Sequence, residues 1–107
     1  MSEFSKREKT FESKFAHDQD LKFKAFARRN RLLGQWAAEK LGLTGDAAKA
    51  YADEVIKADL KEPGEEDVFR KLRGDFDKEG VALSDHQIRR EMEEKLKQAM
   101  EEIQAGR

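Results

Sequence analysis

DQDLKFKAFARRNRLLGQWAAEKL, residues 18–41, is the longest uninterrupted pattern in this 107-residue chain. Phe23, Phe26, Ala27, Leu33, Ala37 and Leu41 fall on one face when the stretch is wound as an α-helix. Ala25, Leu32 and Trp36 fall on an adjacent strip, so the apolar arc is too wide for a single neighbour. Asp18 or Asp20 supplies a capping carboxylate at the start, and Gly42 stands where a left-handed residue ends a helix. A long helix that needs covering on two sides predicts a bundle.

The chain downstream supplies the cover. Thr44 opens a second helix carrying Ala48, Tyr51, Ala52, Val55, Ile56 and Leu60, and Pro63-Gly64 stops it because proline cannot continue a helical turn. Val68, Phe69, Leu72 and Phe76 mark a third helix, ended by Gly80. Ser84 and Gln87 form a capping box, each side chain serving the other's backbone N–H, ahead of the stripe Ile88, Met92, Leu96, Ala99, Met100 and Ile103. No segment alternates as a half-buried strand does, no repeat is present, and the connections are short. The predicted fold is all-α, an antiparallel four-helix bundle over residues 18–107.

Upstream, residues 1–17 form an N-terminal arm of another kind. Phe4, Phe11 and Phe15 lie seven and four residues apart, one face of a helix, with polar runs between them. A segment so short is not a stable helix by itself, so the arm reads as flexible and conditionally helical, folding when its aromatic face meets a groove.

Composition narrows the functions. Leu, Ile, Val and Phe total 22 residues, a modest core, while 22 basic and 23 acidic residues nearly cancel. The absence of cysteine excludes a disulfide scaffold, a thiolate metal site and a cysteine nucleophile. No run approaches the ~18 apolar residues of a membrane span, and the first residues lack the apolar core of a secretory signal. A cytoplasmic protein without direct membrane insertion is the expectation. Residues 1–40 hold ten Lys/Arg against six Asp/Glu, and residues 41–107 hold twelve against seventeen, which suggests an oriented contact with an acidic surface.

Catalytic chemistry is hard to place. His17 and His86 are far apart and neither has a second metal ligand at helical spacing, so no metal site is expected. Ser84 is explained by capping. Gly42-Leu43-Thr44-Gly45-Asp46-Ala47-Ala48-Lys49 fails the phosphate-loop spacing, and Asp46 would repel a phosphate. Glu65-Glu66-Asp67 suits the first turn of a helix. The cluster Arg28-Arg29-Asn30-Arg31, followed by Trp36, offers cations and a stacking surface, but successive helical residues diverge and the chain is slightly acidic. Ion pairing with the acidic helices is the plainer reading of those arginines. Nucleic acid is not an expected partner, and Asn30, on the apolar stripe, reads as a buried polar residue fixing register. The chain is expected to bind protein, not to catalyse a reaction.

Several runs resemble a known family: Phe15-Ala16-His17-Asp18, Phe23-Lys24, Ala27-Arg28-Arg29-Asn30, Leu32-Leu33-Gly34, Trp36-Ala37-Ala38, Leu43 with Gly45, Tyr51-Ala52 and Ala58-Asp59. Together they resemble the zeta inhibitor subunit of alphaproteobacterial F-type ATP synthases, over essentially the whole chain and more thinly after Pro63. The resemblance implies a four-helix bundle with a mobile inhibitory arm. The arm folds as a helix into a catalytic interface of the synthase head, formed by alpha, beta and gamma subunits, and blocks rotation in the hydrolysis direction. Carried onto this chain, Phe4, Phe11 and Phe15 are the anchors, and Lys6, Arg7, Lys9 and Lys14 face polar or acidic groups at the rim. The protein would be a monomer when free and would associate with the inner-membrane synthase from the cytoplasm. The alternative is an adenine-nucleotide-binding or assembly module with little inhibition, its weakly bound nucleotide near Arg28, Arg29, Arg31 and Trp36; no other cofactor is expected. A membrane-surface helix ranks last, since Glu3, Glu8 and Glu12 interrupt the arm's basic face.

Overall fold

A computed structural model describes residues 18–61 and 65–106. The expected arm, with Phe4, Lys6, Arg7, Lys9, Phe11, Lys14 and Phe15, lies outside the described residues. The four expected helices are present: α1 (Gln19–Lys40), α2 (Gly45–Lys61), α3 (Glu65–Lys78) and α4 (Asp85–Gln104). Among the described residues there is no strand.

Local chemistry sets the helix ends. Asp18 is extended, and its carboxylate Oδ1 accepts from the Leu21 backbone N–H at 3.1 Å, satisfying one of the donors a helix start leaves free. At the other end Gly42 turns left-handed with φ +77°, and the Leu43 N–H reaches back to the Ala38 carbonyl at 2.8 Å. Gly80 repeats the device after α3, where the Val81 N–H donates to the Phe76 carbonyl at 2.8 Å. The Ser84–Gln87 capping box is formed in both directions, at 3.1 and 2.8 Å. α2 begins at Gly45, directly after Thr44, whose carbonyl accepts from the Ala48 N–H at 3.4 Å as the residue that opens a helix should.

α1 makes the broadest contacts, with α2 on one side and α4 on the other, and α3 closes the ring against both. Leu33 and Ala37 of α1 meet Tyr51 and Val55 of α2, Val68, Leu72 and Phe76 of α3, and Ile88 and Met92 of α4 in one continuous core. The buried positions of α1 run as two rows of four-residue steps, Ala25-Arg29-Leu33-Ala37 and Asn30-Gly34-Ala38. Phe23, expected inside, is 64% exposed. It points nearly the same way as Asn30, seven residues on, but its neighbours there, Ile56 and Ile103, leave a groove beside it.

Gly34 is where α1 and α2 come closest. A Cβ at this position would lie 2.6 Å from the Ala52 Cα and 3.0 Å from its Cβ, so only glycine permits the approach. Two effects of Gly34→Ala oppose each other. Helix propensity favours alanine by about 1 kcal/mol, whereas prising two helices apart costs about 3 kcal/mol, since the obstructing atom is backbone and cannot rotate away. The expected outcome is a net loss of about 2 kcal/mol in urea unfolding. Adding Ala52→Gly should recover little, because the 2.6 Å contact is with a Cα that remains.

Tyr51 sits at the α2–α3 contact. Its hydroxyl donates to Asp75 Oδ2 at 2.7 Å, and the Lys71 ammonium lies 5.0 Å from its ring centroid while bonding the same Asp75 oxygen. Burial, then the hydrogen bond and charge of Asp75, then the charge of Glu54, push the phenol above its ordinary 10.0. The folded pKa exceeds the unfolded one, so this contribution is complete below pH 10 and is lost as pH rises above it. Tyr51 is the chain's only tyrosine, so phenolate absorbance follows it alone. Tyr51→Phe should remove this alkaline loss while costing about 1 kcal/mol near neutral pH, as read by unfolding curves across pH.

Candidate interaction surface

The N-terminal half of α1 concentrates the surface features that the core does not explain. Phe23 is the exposed large hydrophobic residue of the described chain. It stands between two depressions, with Lys22, Lys24 and Arg31 exposed around it. On one side, a groove of about 410 Å³ is lined by Phe23, Lys24, Ala27, Arg28, Arg31, Ile56 and Ile103. On the other, a groove of about 450 Å³ is lined by Gln19, Lys22, Phe23, Phe26, Arg29, Asp59 and Glu65.

The arginines diverge as their helical spacing requires. Arg28 turns to α4 and pairs with Glu102 at 3.5 Å, while Arg31 is exposed. Arg29 turns inward and is 1% exposed, one of the largest buried side chains in the protein. Its Nε donates to Asn30 Oδ1 at 3.0 Å, and its guanidinium lies 5.1 Å from the Phe26 ring centroid. Asp59 at the end of α2 and Glu65 at the start of α3 supply countercharge at 3.7 and 4.0 Å. Burial pulls the guanidinium below its ordinary pKa, and Asp59 and Glu65 oppose the shift. Both ion pairs are long, and Arg29 Nη1 and Asp59 Oδ1 are buried without a hydrogen-bond partner.

Of the residues singled out for a nucleotide, Arg28 and Arg31 share the 410 Å³ groove. Arg29 faces the other groove, and the half-buried Trp36 indole packs edge-on against Phe76 at the margin of the core, with centroids 5.7 Å apart. Asn30 is buried, as its place on the stripe had suggested. Asp59 and Glu65 gave no sign in the sequence of being Arg29's partners, because a charge spacing of thirty-odd residues carries no periodicity. Among the described residues, no group of three or more His, Cys, Asp or Glu is placed to hold a metal ion, and no helix is long and apolar enough to cross a membrane.

The sequence model of a family described as ATPase inhibitor subunit zeta matches residues 1–102. Among solved structures, a solution NMR structure is similar at 44% identity with a TM-score of 0.71, covering 81% of this chain and 99% of that one. No curated protein matches the chain.

Proposed function

The chain belongs to the ATPase inhibitor subunit zeta family, and from that premise we propose that it restrains ATP hydrolysis by an F-type ATP synthase through its N-terminal arm. The arm, residues 1–17, folds as a helix into a catalytic interface of the head, between alpha and beta subunits beside the gamma stalk, and blocks rotation in the hydrolysis direction. Phe4, Phe11 and Phe15 enter the interface, and Lys6, Arg7, Lys9 and Lys14 meet polar or acidic groups at its rim. The bundle holds the arm in place from outside. Acting from the cytoplasm on the membrane-bound synthase, a free monomer would bind when hydrolysis is to be stopped.

The observation that carries this reading is the extent of the family match: it begins at residue 1 and so takes in the whole arm together with the bundle. The physical logic agrees. An arm that gains its helix only on binding loses about 2–5 kcal/mol to ordering, which keeps the contact conditional. The test is ATP hydrolysis by the isolated synthase head from the same organism with increasing amounts of the intact protein. Dose-dependent inhibition is expected; undiminished hydrolysis at saturating, folded protein would sink the proposal.

The groove bearing Lys24, Arg28 and Arg31 beside the Phe23 ring favours one second reading, weak binding of an adenine nucleotide. In that reading Arg28 and Arg31 meet the phosphates, whereas Arg29 and Trp36, also expected near the nucleotide, face the other groove and Phe76 and take no part. Titration with ATP followed by amide shifts should then move signals on this half of α1 and leave α3 still.

A further inference from the structure

We propose that the groove α1 forms with Ile56, near the end of α2, and Ile103, near the end of α4, is a docking surface for an acidic amphipathic helix of a partner protein. Phe23 is its apolar anchor, and Lys24 and Arg31 are the cations that select a partner rich in carboxylates. The surface itself is independent of the inhibitory reading.

Two observations point to this occupant. The first is apolar. A single ring in water is ordinary on a protein surface, but Phe23, 64% exposed, is not isolated. The groove beside it, about 410 Å³, is lined as well by Ala27, Ile56 and Ile103, all half-buried, so the apolar strip is continuous from core to solvent. Its lining on α1 runs from Phe23 to Arg31, about 12 Å of helix axis. Two turns of a helix laid along it would place anchors at i and i+4 against Phe23 and Ala27.

The second is charge. Lys24, Arg28 and Arg31 stand four and three residues apart and form one row along α1, beside the apolar strip. Arg28 is taken up by Glu102 at 3.5 Å. Lys24 and Arg31 are exposed and have no ion pair among the described residues. No carboxylate lines this groove, whereas Asp59 and Glu65 line the one on the other side of α1. The net charge of the chain is only −1, so the basic rim is a local feature and not an overall excess. Lys24 and Arg31 are about 10.5 Å apart along the axis, and carboxylates two turns apart on a partner helix meet both. Cations spread in this way fit a row of side chains better than one nucleotide, whose phosphates need donors converging on a point.

The two parts of the surface act differently. The ring and its apolar walls carry the affinity, and the rim cations set the encounter rate, the salt dependence and the choice of partner. Where the groove and the arm engage one assembly, the second contact becomes intramolecular and tightens the whole by about 100-fold or more. That consequence alone rests on the inhibitory reading.

The test is an amide-shift titration of the full-length ¹⁵N protein with a synthetic helix of about 18 residues, long enough to hold its shape in water. Its leucines lie at i, i+4 and i+7 with glutamates flanking them, and a control peptide has lysines in place of the glutamates. The acidic peptide is expected to shift Phe23, Ala27, Arg31, Ile56 and Ile103 with half-saturation below about 1 mM, and to leave Asp59 and Glu65 still. Phe23→Ser should weaken binding about tenfold or more while the spectrum stays dispersed. Lys24→Glu with Arg31→Glu should weaken it several-fold at low salt and remove most of its salt dependence. Equal binding of the lysine peptide, or no shift with either peptide at about 1 mM, would overturn the proposal. So would shifts of these residues with ATP but with neither peptide, which would assign the groove to a nucleotide, or shifts on dilution of the free protein, which would assign it to a second copy. No readout involves hydrolysis, so failure of this surface and failure of the inhibitory reading remain distinct.

Discussion

Deleting residues 1–17 should abolish inhibition of ATP hydrolysis and leave the bundle folded. The second half of that expectation follows from the fold. Among the described residues the continuous core cluster runs from Leu33 onward, and α1 is capped by Asp18, which the deletion spares. The melting temperature should therefore stay within a few degrees of the intact protein's, the shift that about 1 kcal/mol produces in a domain this size. The first half follows from where binding energy resides. Buried aromatic anchors dominate interfaces of this kind, and loss of one costs about 2–4 kcal/mol, or roughly 30- to 1,000-fold in affinity. Removing Phe4, Phe11 and Phe15 together leaves nothing to offset the cost of association. Phe11→Ala alone should raise the concentration needed for half-inhibition at least tenfold. Inhibition retained by the truncated protein would move the inhibitory surface onto the bundle, with Phe23 and the neighbouring cations as its first suspects.

Much of the bundle was legible because its punctuation is local. Gly42 and Gly80 adopt the left-handed turns their positions demand, and Ser84 and Gln87 bond within four residues of one another. Apolar spacing located the buried faces of α3 and α4, where Val68, Leu72, Phe76, Ile88 and Met92 are inside. What escaped was set by tertiary neighbours. Gly34 carried no packing signal of its own, because its need comes from Ala52 on another helix. Phe23 fits the apolar stripe but stands beside a groove, because periodicity gives a residue's direction and says nothing of how far the facing helices extend. Arg29 looked like one cation among three; only the fold turns it inward toward Asp59 and Glu65. The family, by contrast, was legible from runs such as Ala27-Arg28-Arg29-Asn30 and Trp36-Ala37-Ala38, and the match over residues 1–102 bears it out.

The buried guanidinium gives the sharpest stability test. Arg29→Met keeps an unbranched side chain of similar length and removes the charge. Asn30 Oδ1 then loses its donor, and Asp59, with 16% of its side chain exposed, loses its nearest cation. Glu65 is 54% exposed and is solvated with or without Arg29. Breaking a buried pair from one side costs about 3–5 kcal/mol, and the partial exposure of Asp59 puts this case near the lower figure, about 3 kcal/mol in urea unfolding. For a small domain that is a large part of the total. Most of this cost comes from the carboxylate left behind. Arg29→Met with Asp59→Leu should accordingly recover about 2 kcal/mol relative to the single variant, since apolar replacement of a whole buried pair is often neutral or better. Arg29→Lys keeps the charge but gives up the Nε bond to Asn30, so it should fall between the two. If the double variant were no more stable than Arg29→Met, the cost would lie in lost contacts with Phe26 and Asn30, and Asp59 would be a bystander. The recovered double variant would also separate structure from function: folded and without the guanidinium, it should still inhibit hydrolysis, because the anchors of the arm are untouched.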